Sequence, residues 1–121
     1  MTLETPAAAD DGGRPSVFLR RDVLFNLMGL TFEWDENKAA ENLSKHAVSF
    51  SEAVSVFEDS LSRTIPDPLH SSEEDRFVIV GISELQRTLV VVHTYRDNVV
   101  RIISARKATT RERKDYEEGR D

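Results

Sequence analysis

The sequence predicts an α+β domain, an antiparallel sheet of four to five strands packed with helices on one face, in the order β-α-α-β-β-β-β-α. Three observations predict it. Residues 76–82, 88–96 and 99–106 are rich in valine and isoleucine and are separated by short turns. Two boxes, Ser49-x-x-Glu52 and Thr109-x-x-Glu112, each open a segment suited to a helix. The length, 121 residues, allows one domain with a single modest core.

The elements follow in order. Residues 1–16 combine Ala, Asp, Gly and Pro without periodicity and bury too little apolar surface to offset their ordering entropy. Residues 17–30 are apolar but fit no period. Met28 stands just before the first patterned segment and is a candidate true start. Residues 1–27 are therefore read as a disordered or weakly ordered extension and 28–121 as the domain, the alternative being a short helix or arm packed on it. Thr31-Phe32-Glu33-Trp34 alternates and reads as a short strand, with Phe32 and Trp34 as core. Asp35 stands where an N-cap belongs for a helix over 36–46, whose apolar stripe is Ala39, Ala40, Leu43 and Ala47. A second helix carries Phe50, Ala53, Val54 and Phe57 at helical spacing. A brief strand over 62–65 ends at Pro66 and Pro68, the acidic loop Asp67–Asp75 follows, and three strands lead to a terminal helix ending near Gly119.

The two-residue loop Asp97-Asn98 suits a type I′ hairpin, which pairs Arg96 with Val99, Tyr95 with Val100 and His93 with Ile102. Alternation then puts Val90, Val92, Thr94, Arg96, Val99, Arg101, Ile103 and Ala105 on one face, which has the look of the helix-packed one. Leu89, Val91, His93, Tyr95, Val100, Ile102, Ser104 and Arg106 fall on the other.

The net charge of −6 argues at first against a nucleic-acid partner, but the distribution matters more than the sum. Residues 51–75 hold seven acids and one base, whereas residues 76–121 hold ten bases and seven acids. There is no cysteine, which excludes a disulfide scaffold, a cysteine nucleophile and a thiolate metal site. No run approaches the ~20 apolar residues of a membrane span. Arg20-Arg21-Asp22-Val23-Leu24-Phe25 is only faintly similar to a twin-arginine signal, and a cytoplasmic protein is expected.

The series Phe32-x-Trp34-Asp35-x-x-Lys38-x-x-x-Asn42-x-x-Lys45-His46-x-Val48-x-Phe50-x-x-Ala53 resembles the opening signature of the BrnT toxin family. The resemblance continues through Val56-Phe57-x-Asp59, Asp67, His70, Arg76 and Gly81. It ends with Arg101-Ile102-Ile103-Ser104-Ala105-Arg106-Lys107-Ala108 and Glu112-Arg113-x-x-Tyr116. Ala47 departs from it, because the family usually has glycine after the Lys-His pair. The resemblance implies a RelE-like toxin fold, RNA cleavage, and neutralisation by a BrnA-like antitoxin. It also implies a toxin–antitoxin heterotetramer that represses its own operon, touching operator DNA mainly through the antitoxin.

Metal-free RNA cleavage needs a base for the 2′-hydroxyl, a cation for the phosphorane and an acid for the leaving 5′-oxygen. No cofactor is expected, and His46, His70 and His93 lack metal-ligand spacing. Arginine offers a permanently charged planar fork for phosphate, so Arg106 leads the catalytic candidates, with Arg101, Arg96 and Lys107 beside it; His46 joins them for proton transfer. Substrate-binding candidates are Arg76, Lys45, Tyr95 and His93. Each has a plainer reading: Arg106 as a salt bridge to Glu112, Arg76 as a partner of its acidic neighbours, Lys107 and Lys45 as surface, His46 as a helix-end cap, and His93 and Tyr95 as packing. The rival function is a degenerate binding module that only scaffolds an antitoxin complex.

Overall fold

The structure, a computed structural model, describes residues 22–27, 29–68 and 75–119. The expected disorder over residues 1–16, the candidate start at Met28, His70 and most of the acidic loop lie outside the described residues. Six strands, β1 (Asp22–Leu27), β2 (Leu30–Asp35), β3 (Arg63–Pro66), β4 (Arg76–Ile82), β5 (Thr88–Arg96) and β6 (Val99–Lys107), form one sheet in the order β1-β2-β6-β5-β4-β3. The helices are α1 (Glu36–His46), α2 (Phe50–Ser55), continued by a 3-10 turn at Val56–Glu58, and α3 (Thr110–Glu118).

Three expectations about the sheet are corrected. The sheet has six strands rather than four to five, because Asp22–Leu27 pairs antiparallel with β2 over six residues, so the order begins β-β. Its alternation is masked at the sheet edge: Val23 and Leu27 pack against the core while Leu24 and Phe25 on the same strand are exposed. Gly29, at φ 81°, makes the tight turn into β2, a conformation a side chain would resist. The sheet is mixed rather than antiparallel throughout, since β2 runs parallel to β6. The chain between them holds both helices and three strands, long enough for a parallel crossover.

The third correction concerns the faces. The main core joins Phe32, Trp34, Leu89, Val91, Val100, Ile102 and Ala105 of the sheet to Val48, Phe50, Ala53, Val54 and Val56. The helix-packed face is thus the one carrying Leu89, Val91 and His93, opposite to the sorting that alternation suggested. α3 does not join that layer. Its Glu112 is held by Arg106 and its Gly119 lies against the Arg63 guanidinium. Arg106 stands opposite Val90, and Arg63 opposite Val80, both on the second face. Val90 and Tyr116 are buried outside the main core, so helices lie on both faces.

Local chemistry fixes the helices. Asp35 caps α1 by accepting from the N–H groups of Asn37 and Lys38. Of the stripe expected on α1, Ala39 packs against the core, but Leu43 is 52% exposed, and Asn42 is the residue that turns inward. Ser49 caps α2 through the N–H of Glu52, but the Glu52 side chain does not complete the box. It turns inward to Ser83, at 2.6 Å, and to Arg87. Burial alone would raise its carboxyl, yet the bonds from Arg87 and Ser83 outweigh this and hold it below the usual carboxylate value. Thr109 and Glu112 form the complete capping box of α3. No helix among the described residues is long and apolar enough to cross a membrane.

Candidate functional site

The β5–β6 hairpin decides which side chains meet. Its loop residues Asp97 and Asn98 have φ of 51° and 69°, and Arg96 pairs with Val99, Tyr95 with Val100 and His93 with Ile102, as the sequence predicts. Past His93 the ladder slips: Val92 pairs with Ser104, leaving Ile103 as an extra residue in β6. The slip reverses the alternation of everything that follows. Ala105 turns into the main core opposite Val91, and Arg106 turns to the second face opposite Val90.

The result is a face rich in arginine. One transverse row reads Arg76, Thr94, Arg101, Glu33 across β4, β5, β6 and β2. A second reads Arg63, Val80, Val90, Arg106 across β3, β4, β5 and β6. Arg96 lies on the same face, two residues beyond Thr94. Sheet spacing puts the backbones of Arg76 and Arg101 about 10 Å apart. α3 overlies the second row, bordering the face.

Carboxylates hold Arg106 and Arg101. Arg106 donates from Nη1 and Nη2 to the two oxygens of Glu112 at 2.8 and 3.0 Å, a fork-on-fork pair. Glu112 also accepts the Thr109 N–H at 2.8 Å. The Arg106 bond pulls the Glu112 carboxyl down to about 2, and the same bond raises the guanidinium. Arg101 is more enclosed, with Nη1 3.0 Å from Glu33 and Nη2 3.3 Å from Asp22. Burial works against its charge, and the bonds to Glu33 and Asp22 more than restore it. Arg76 and Arg96 have partners of their own. Thr94, buried in the same face, donates its hydroxyl to the carbonyl of Asp75.

The other candidates lie elsewhere. His93 is on the helix-packed face, fully buried, ringed by Phe57, Phe77 and Tyr95. Neither ring nitrogen makes a hydrogen bond of good geometry among the described residues, and burial, opposed only by a longer contact with the Val91 backbone, pushes its pKa down to about 4. It is a fully buried core residue. Tyr95 is half exposed on that same face, packed on Phe77 and His93. His46 and Lys45 end α1, whose Asn42 binds the backbone edge of β6 at Ala105 and whose Ala39 packs against the main core. Lys107 pairs with Leu89 at the strand end and is exposed.

Sequence reasoning missed Arg63, Asp22 and Glu33 as members of this face. No spacing rule links them, because only the strand order makes them neighbours. Among the described residues no group of three or more His, Asp or Glu is placed to hold a metal ion. A depression lined by Ser55, Glu58, Asp59, Ile82, Ser83, Glu84 and Gln86 includes none of the arginines and is acidic in character.

The fold and this face define a small α+β domain that presents clustered guanidinium groups suited to a polyanion. The chain belongs to the family of ribonuclease toxins, BrnT, of type II toxin-antitoxin systems, whose model matches residues 34–112. Among solved structures it is similar to the Brucella abortus ribonuclease toxin, BrnT, determined at 1.1 Å resolution. The identity is 21%, the match covers 64% of this chain and 94% of that one, and the TM-score is 0.51. At that identity the likeness concerns the fold alone. No curated protein matches the chain.

Proposed function

We propose that the chain is the toxin of a type II toxin–antitoxin pair and a metal-independent endoribonuclease that inhibits growth by cutting RNA. The arginine face of the sheet is its RNA site. One observation carries the reading: the bulge at Ile103 brings Arg106 onto the same face as Arg101, Arg96 and Arg76. In cleavage the 2′-oxygen attacks phosphorus after losing its proton, and the 5′-oxygen leaves with one, giving a 2′,3′-cyclic phosphate. Arg106 has the more exposed head, at 42% against 17% for Arg101, and is the cation that steadies the phosphorane. Arg101, Arg96 and Arg76 hold flanking phosphates. The RelE-like grouping, a BrnA-like antitoxin, a heterotetramer and repression of the shared operon through operator DNA complete the proposal, on the strength of family membership.

The experiment is cleavage of a synthetic RNA by purified toxin in buffer containing a chelator. The wild type yields cyclic-phosphate ends, and Arg106→Ala slows cleavage by about 100-fold or more. Full activity in Arg106→Ala, or activity abolished by the chelator and restored by a divalent ion, overturns the mechanism. Co-purification with a short protein encoded alongside, and the mass of the complex, test the antitoxin and stoichiometry.

A second reading has its own support. Arg106 and Arg101 are already neutralised by Glu112, Glu33 and Asp22, as expected of a binding module that no longer cuts RNA. Intact RNA together with tight antitoxin binding would decide for it.

A further inference from the structure

Strand β1 precedes the segment that the family model matches, yet it delivers a carboxylate to the arginine face. Asp22, its first residue, stands opposite Asp35 in a six-pair ladder with β2. Val23 and Leu27 of the same strand pack against the core, so the strand is anchored. Asp22 Oδ1 lies 3.3 Å from Nη2 of Arg101, while Glu33 takes Nη1 at 3.0 Å. Both acid side chains are shielded, at 6% and 11% exposure.

The charge arithmetic matters. Arg101 with Glu33 alone is a neutral pair. Asp22 adds a second carboxylate and turns the trio net negative, in the middle of a surface whose proposed ligand is anionic. A phosphate approaching Arg101 must compete with two acids for one fork, and Asp22, on β1, is the one held furthest ahead of the family-matched segment.

We propose that Asp22 is a positioning residue that attenuates the RNA site: β1 holds a second carboxylate on Arg101 and lowers the affinity of the face for phosphodiester. The inference rests on the reading of that face as the RNA site. Asp22→Asn keeps the size and the strand but removes the charge, and it does not touch the substrate itself.

The test uses the full-length chain and a synthetic RNA oligonucleotide, with KM and kcat measured at low and moderate salt. Asp22→Asn, or Asp22→Ser should the first variant fold poorly, lowers KM by about two- to fivefold. The gain shrinks as salt rises, and kcat changes less than KM. Glu41→Gln, which removes one exposed acid from α1, leaves both constants unchanged and controls for net charge. A folded Asp22 variant whose KM is unchanged or higher overturns the inference, since a merely structural Asp22 cannot strengthen binding when removed. A wild-type chain that neither binds nor cuts the RNA overturns the RNA reading, and the inference falls with it. Cleavage by the wild type with no KM difference in the variant removes the inference alone.

Discussion

The side-chain amide of Asn42 closes both backbone groups of Ala105: Oδ1 accepts the Ala105 N–H at 3.0 Å, and Nδ2 donates to its carbonyl at 2.8 Å. The same Nδ2 donates to the carbonyl of Val48 at 3.0 Å. One buried residue of α1 thus pins the strand just past the bulge, next to Arg106, and holds the loop into α2. Asn42→Ala leaves these buried backbone groups without partners, at a cost of about 2–4 kcal/mol by urea unfolding. Asn42→Asp sets a carboxylate against two carbonyls and does no better. If Asn42→Ala unfolds like the wild type, α1 does not hold the strand through this residue.

This bond shows where the sequence was legible and where it was not. The Val/Ile runs, the Asp97-Asn98 hairpin and its register, and the Asp35 and Thr109 caps follow from local rules, and they appear as expected. Asn42 was hidden because a polar residue reads as solvent-facing until its partners, 63 positions away in the chain, are known. The bulge at Ile103 was hidden because nothing in Arg-Ile-Ile-Ser-Ala-Arg marks an unpaired residue. That one slip decides the face of Arg106, and with it the make-up of the candidate site. His93 was attractive on chemistry alone, and the core encloses it on the face opposite the arginines.

Ala47 ends α1 in a left-handed conformation, φ 58° and ψ 33°, with its N–H on the carbonyl of Leu43. A Cβ in that region costs about 1–2 kcal/mol, and the turn persists because Arg87 donates to the Ala47 carbonyl and Val48 is buried directly after it. Ala47→Gly relieves the strain but gives the unfolded chain more freedom, worth about 0.4–1 kcal/mol. The net expectation is a gain of about 0.5–1 kcal/mol, read as a higher urea midpoint with an unchanged slope. A loss of stability would mean that the cap is not strained.

His93 gives stability a pH dependence. Its folded pKa, about 4, lies below the ordinary histidine value of 6.5. The unfolded chain therefore takes up the proton first, so stability is complete above about 6.5 and falls as pH drops toward 4. The shift corresponds to about 3 kcal/mol over that window. His93→Leu should flatten the stability curve between pH 7 and 4. It should also raise stability at pH 7 by about 1 kcal/mol or more, because two buried nitrogens without partners are removed. An unchanged slope in His93→Leu would assign the titration to another group.

The Arg106–Glu112 pair couples α3 to the proposed cation and acts at lower pH. The Glu112 carboxyl is held at about 2 against an ordinary value of 4.5, first by Arg106 and also by the Thr109 N–H. A depressed acid contributes above its unfolded pKa, so this stability is present above 4.5 and disappears as pH falls from 4.5 through 2. With both heads more than a third exposed, solvent screening keeps the contribution under about 1 kcal/mol. Glu112→Gln should remove this limb of the pH curve and leave the His93 limb intact. Arg106→Lys separates charge from shape: lysine keeps the charge but cannot present two parallel donors to phosphate or to Glu112. Under the proposed mechanism Arg106→Lys recovers less than about a tenth of the wild-type cleavage rate, with KM closer to wild type than kcat. Recovery of full kcat by lysine would mean that only charge is needed at this position, and that the forked geometry belongs to α3 docking rather than to the phosphorane.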